Sequence, residues 1–324
     1  MNKFLVASAL GIIVIGGWAA TEYSRAEQTK SAAVKNEVKI EERDGFGIIT
    51  SNGIPDHPTG QFPHPGNPGR IAPQHFVFRM TLAPKIADKL TWQRNGKFGV
   101  VLNGVPLDPG TNEWWNNDRR AGWQEVAHAG TDELGLDESN AHVQPDGTYH
   151  YHGLPYGWLD KLPDATKPQN VLTGYAGDGF PIYSLFGYAN PKDPKSKIVK
   201  LRSSYRVRKG TRPDAPDGPG GTYDGTYSKD YKYVAGAGDL DECNGREGVT
   251  PEYPKGTYYY VLTEEFPFIP RYFRGTPDAS WARRPGPPPG GEHSHGGERG
   301  DHGPDDNGPE GGPPPDEFGP PPDR

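Results

Sequence analysis

The segment Asn140-Ala141-His142-Val143-Gln144-Pro145-Asp146-Gly147-Thr148-Tyr149-His150-Tyr151-His152 concentrates the side chains best suited to chemistry. Pro-Asp-Gly is strong turn chemistry, because Pro presets φ and Gly accepts the left-handed position of a three-residue loop. If Pro145, Asp146 and Gly147 form that loop, Gln144 pairs with Thr148, Val143 with Tyr149 and His142 with His150. Directly opposed residues hold their Cβ atoms ~5 Å apart. Strand side chains alternate, so His152 falls on the same face as His150, and Tyr149 and Tyr151 on the other. A two-residue loop of Asp146-Gly147 would shift the register by one and turn His142 away.

Three imidazoles on one face suit Zn or Cu. Three protein ligands leave a coordination position open, as in catalytic or exchangeable sites. Asp137 and Glu138 are candidates for a fourth ligand or for an acceptor of an imidazole N–H. His57 and Asp178 are further candidates of that kind. His64, His75 and His128 read as single histidines, with His57 and His64 on Pro-rich loops. Against the metal reading, His-X-His on a strand is also met as a half-exposed aromatic pair in a polar sheet.

The elements that must position these groups read as short strands separated by turns. Phe76–Phe78, Phe98–Leu102, Thr148–His152, Ile182–Phe186 and Thr257–Leu262 are rich in β-branched and aromatic residues. Helical patterns are few, over Glu113–Ala129 and Tyr156–Leu162. Gly and Pro together make up a quarter of the chain, which disfavours long helices. The expected fold is mainly β: a compact antiparallel β-rich domain with internal pseudo-duplication and few short helices.

The duplication is legible in matched blocks. Leu136-Asp137-Glu138-Ser139-Asn140-Ala141-His142 corresponds to Leu240-Asp241-Glu242-Cys243-Asn244-Gly245-Arg246. Gly147-Thr148-Tyr149-His150-Tyr151-His152 corresponds to Gly256-Thr257-Tyr258-Tyr259-Tyr260-Val261. Upstream, Asn103-Gly104-Val105-Pro106-Leu107 corresponds to Asp178-Gly179-Phe180-Pro181-Ile182. These blocks define related halves at about 96–165 and 172–275, the second with a Lys-, Arg-, Pro- and Gly-rich insertion near 190–235. The residues common to both copies build the fold; the three histidines occur only in the first, which argues for a chemical role. Asp137 and Glu138, by contrast, are retained as Asp241 and Glu242, so a structural role is at least as well supported for them. The motif sets are expected to face one another across a shared core.

Tyr149-His150-Tyr151-His152, preceded by His142 and followed by Gly153-Leu154-Pro155, resembles the YHYH domain family. So do Gly174–Tyr183, Leu240–Gly245 and the opening Asn52–Asn67, which extends the resemblance over roughly 48–275. The resemblance implies an exported bacterial protein and assigns no activity.

The two ends differ in composition from this region. Phe4–Ala20 is an apolar run after Lys3, with cleavage options at Ser24-Arg25-Ala26 and Gly17-Trp18-Ala19. Residues 1–26 read as a signal peptide or an uncleaved anchor, 27–44 as a polar linker, 45–284 as the folded domain and 285–324 as a disordered Pro/Gly-rich tail. The tail carries His293, His295 and His302. The expected location is periplasmic or extracellular, with membrane association only if the N-terminal segment is retained.

A net charge of −7 argues against nucleic acid as a partner. A mean hydropathy of −0.82 excludes a multi-span membrane protein. One cysteine excludes a disulfide scaffold or a Cys-rich cluster. No phosphate loop, dinucleotide fingerprint or Gly-X-Ser-X-Gly is present. The functional expectation is transition-metal binding by a three-histidine cluster, with catalysis left open. The alternatives are a non-catalytic structural or surface interaction module, or a carbohydrate-binding module using Trp114, Trp115, Trp123 and Trp158.

Overall fold

A computed structural model describes residues 34–93, 96–128 and 134–281. The signal segment, the first part of the linker and the C-terminal tail lie outside the described residues. Among the described residues no helix is long and apolar enough to cross a membrane.

The fold is mainly β. β1 (Val38–Arg43), β2 (Phe46–Ser51) and β3 (Phe76–Thr81) form an antiparallel three-stranded sheet. β1 falls in the stretch read as linker. Its side chains are almost all exposed, so it carries no hydrophobic signature. The signal that could have revealed it is Asp44-Gly45, both at positive φ (53° and 80°), which closes a tight hairpin onto β2.

The large sheet contains β5 (Gly99–Val101), β6 (Pro106–Leu107), β7 (Ala141–Val143), β8 (Tyr149–Tyr151), β9 (Asn170–Ala176), β10 (Pro181–Tyr188), β14 (Gly245–Gly248) and β15 (Thr257–Leu262). Its order, β14-β15-β10-β9-β5-β6-β8-β7, is a palindrome in the duplicated elements. β5 and β6 form a hairpin, as do β9 and β10. β6 then pairs in parallel with β8 through Leu107 and Tyr151, and β10 with β15 through Ile182 and Tyr260. The halves meet where β5 and β9 run antiparallel, with Val100 opposite Tyr175 at the centre. The backbones approach closely there. A Cβ on Gly174 would collide with the Val100 carbonyl, so this position accepts only glycine.

The two motif hairpins stand at opposite ends of one sheet, β14-β15 at one and β8-β7 at the other. They do share a core: Tyr149, Tyr151, Tyr258 and Tyr260 are buried in one cluster with Phe98, Leu107, Ile182, Leu262 and Phe273. Corresponding polar contacts recur as well. Asp137 accepts from the Ser139 and Ala141 amides and from the Tyr149 hydroxyl; Asp241 accepts from the Cys243 and Gly245 amides and from the Tyr258 hydroxyl. Asn140 and Asn244 both take left-handed φ, 55° and 53°.

The remaining strands are peripheral. β4 (Thr91–Trp92) pairs with β16 (Tyr272–Phe273), β11 (Ile198–Lys200) extends β10, and β12 (Tyr205–Val207) pairs with β13 (Tyr231–Tyr233). The helix expected over Glu113–Ala129 does not form. Asn116 and Asn117 take φ of 53° and 55° and Gly122 takes 73°, so the chain reverses through short 3-10 turns and Trp114 bridges back to Gln124. Of Tyr156–Leu162 only one turn, α1 (Tyr156–Leu159), is helical.

Candidate metal centre

The β7–β8 hairpin has the three-residue loop. The Gly147 amide donates to the Gln144 carbonyl and the Gln144 amide to the Thr148 carbonyl, at 2.9 Å each. Gly147 takes φ 87°. His142 accordingly stands opposite His150, and Val143 opposite Tyr149. The tyrosines of β8 turn into the core. His142, His150 and His152 turn together to the other face, and their ligating atoms all lie within 4.8 Å of one another.

The three rings form a nearly equilateral triangle. Their centroids are 4.7, 4.8 and 4.7 Å apart, and the planes are inclined at 59°, 75° and 71°. His152 Nε2 lies 3.0 Å from His150 Nε2 and 3.1 Å from His142 Nε2. Ligands at Zn–N bond length on a tetrahedron are separated by about 3.3 Å; the two separations at His152 are close to this, and the whole set lies within 4.8 Å.

The outer ring nitrogens fix which atom is free to ligate. His142 Nδ1 donates to the Leu134 carbonyl at 2.6 Å, and His150 Nδ1 to the Thr148 carbonyl at 3.3 Å. A carbonyl only accepts, so both Nε2 atoms present lone pairs to the common point. His152 Nδ1 is buried with no hydrogen-bond partner of good geometry, close to the Asp108 backbone. A proton on His152 Nε2 serves one neighbour well and leaves the other lone pair facing it poorly compensated; a cation satisfies all three.

Burial reinforces this. His150 and His152 are 2% and 4% exposed, and His142 is half-buried at the rim. Desolvation lowers the pKa of all three, His150 to about 3, and neighbouring imidazoles add to the effect at His150 and His152. All are neutral near pH 7, the form that binds metal.

The other candidates are placed as follows. Asp137 is committed to the Gly60, Ser139 and Ala141 amides and to the Tyr149 hydroxyl; it acts on His142 only through its charge. Glu138 is exposed. Asp178 is buried beneath the second copy, accepting from the Tyr260 hydroxyl at 2.5 Å and the Gly275 amide at 2.8 Å. His57 lies on the tyrosine side of the sheet: Nδ1 donates to the Pro58 carbonyl at 2.7 Å and Nε2 accepts from the Tyr151 hydroxyl at 2.6 Å. His64 is tied to Gly135 and Gly66, and His75 is exposed. His128 Nε2 donates to the His152 carbonyl at 3.0 Å, which steadies the strand end. Of the four tryptophans, Trp123 and Trp158 are buried in packing.

Two neighbours carry no motif that would have marked them. Asp108 follows β6, and its amide donates to the Tyr151 carbonyl, which sets it beside His152. Burial raises its carboxyl pKa to about 7. Glu113 acts on His142 through its charge.

The corresponding place in the second copy is filled differently. Arg246 stands opposite Tyr259 and donates to its hydroxyl at 2.7 Å, with Val261 in the position of His152. A duplicated sheet carrying a three-imidazole face in one half only thus defines the molecule. The model of the YHYH protein family matches residues 77–275, and the chain belongs to that family. His57 and the Asn52–Asn67 segment precede the match. No curated protein and no solved structure matches the chain.

Proposed function

We propose that this is an exported protein that binds one transition-metal ion, Zn or Cu, through His142, His150 and His152. The observation that carries the reading is the convergence of three neutral imidazoles, two of them with the outer nitrogen hydrogen-bonded to a backbone carbonyl. Bound there, the ion would keep a position open toward solvent beside His142 and could activate water for attack on a polar bond. The apolar run Phe4–Ala20 supports export, and the net charge of −7 supports a partner other than nucleic acid.

The test is elemental analysis of the purified protein made without a His tag, alongside a truncation after Arg284 that removes the tail histidines. Stoichiometric metal in both, lost in His150→Ala/His152→Ala, is the expected outcome. Metal-free protein of unchanged stability would instead support a purely structural module. One observation favours that second reading: the Arg246–Tyr259 hairpin keeps the same backbone with no ligating face.

A further inference from the structure

We propose that Arg271, Gln93 and Trp114 form a subsite for an oxyanion, a phosphate or carboxylate group, adjoining the three-histidine centre. Arg271 is 5% exposed, and its Nη1 donates to Gln124 Oε1 at 3.0 Å while Nε has no partner. Among the described residues it makes no ion pair; its guanidinium lies over the Phe266 ring. Gln93 is 7% exposed and its Nε2 has no partner. The Gln93 amide donates to the Arg271 carbonyl at 3.0 Å, continuing the antiparallel pairing of Trp92 with Tyr272, so the two side chains share a face. Trp114 bridges to Gln124, the residue that holds Arg271, and its indole Nε1 is also buried without a partner.

All three orphan atoms are N–H donors, on residues linked to one buried cation: Gln93 through backbone pairing and Trp114 through Gln124. An orphaned donor is destabilising, and one water molecule accepts from no more than two. An oxyanion offers several lone pairs together with the compensating charge. Asp108, the acid that acts on Arg271, commits Oδ1 to the Gly110 amide. Asp108 links the two places: its charge reaches Arg271, and its amide is bonded to the Tyr151 carbonyl next to His152. A ligand anchored by its anionic group at Arg271 would present its remainder to the imidazoles. This second step rests on the metal-binding reading; anion binding itself does not.

Calorimetric titration of the full chain with inorganic phosphate, and separately with acetate, tests the proposal in the metal-free and zinc-loaded states. Saturable binding at one site is expected, weakened at least ~10-fold by Arg271→Gln and by Gln93→Leu, with zinc content unchanged in both. Gln93→Leu decides if Arg271→Gln does not fold, since the amide nitrogen it removes has no partner. Absence of saturable binding in either metal state overturns the proposal, as does binding that survives both substitutions. Anion binding by a protein that takes up no zinc would overturn the metal reading alone.

Discussion

His152 stands between His142 and His150, and its environment determines how the trio responds to protons. In the folded chain all three imidazoles have depressed pKa values; unfolded, they titrate near 6.5. The unfolded state therefore binds more protons once the pH drops below about 6.5, and folding stability falls with it. The contribution of the three histidines is full above that pH. Denaturant unfolding of the metal-free protein at pH 8 and pH 4.5 is expected to show a loss of ~2–3 kcal/mol for a fully buried histidine such as His150, reduced in His150→Phe. Because the raised pKa values of the buried carboxyls of Asp108, Asp178 and Asp241 act in the opposite direction, the reading is the difference between the two proteins: an identical pH dependence in His150→Phe would mean that the ring is solvated. Zinc should oppose the loss until protons displace it.

At the scale of the element, the β7–β8 loop decides whether a centre exists. Gly147 holds φ 87°, and a Cβ there would meet Ala72 at 2.6 Å. Gly147→Ala is expected to destabilise by ~1–2 kcal/mol, read from the denaturation midpoint. Removing Gln144 should do something different: the Pro-Asp-Gly loop is kept, Val143 moves opposite Thr148 and His142 opposite Tyr149 on the tyrosine side, and metal content drops while the hairpin persists. Retained metal in that variant would show that pairing does not set the site. This element was legible from sequence, because Pro-Asp-Gly and period-two alternation act locally and agree with each other. The segment at 113–129 was not. Its helical appearance came from composition, whereas the chain turns back at left-handed Asn116 and Asn117 and is held to distant chain by the Glu125–Tyr227 bridge and by the Trp123 indole donating to the Asp217 carbonyl. β1 was missed for a related reason, since an exposed strand lacks apolar spacing. Asp108 and Arg271 became visible only through parallel pairing and burial, which no short motif encodes.

For the molecule as a whole, the paired architecture makes a direct experiment available. Arg246, Tyr259 and Val261 occupy the positions of His142, His150 and His152 on an equivalent hairpin. Replacing all three with histidine is expected to raise bound zinc from one ion per chain to two, measured by elemental analysis against protein concentration. A stoichiometry still at one, in a folded variant, would show that the hairpin alone is insufficient and that anchors such as the Leu134 carbonyl are required. Each copy keeps its own Asp–Tyr–amide clamp, which is why the exchange should leave the fold intact.

The seam between β5 and β9 has a historical implication. Val100 meets its own counterpart Tyr175 across the dyad, with Gly99 and Gly174 flanking it in matching positions. Such an edge is complementary to itself, so a polypeptide half this size could have closed the same sheet by pairing with an identical molecule. Fusion into a single gene would then have freed the two lobes to diverge, and only one of them carries the imidazoles.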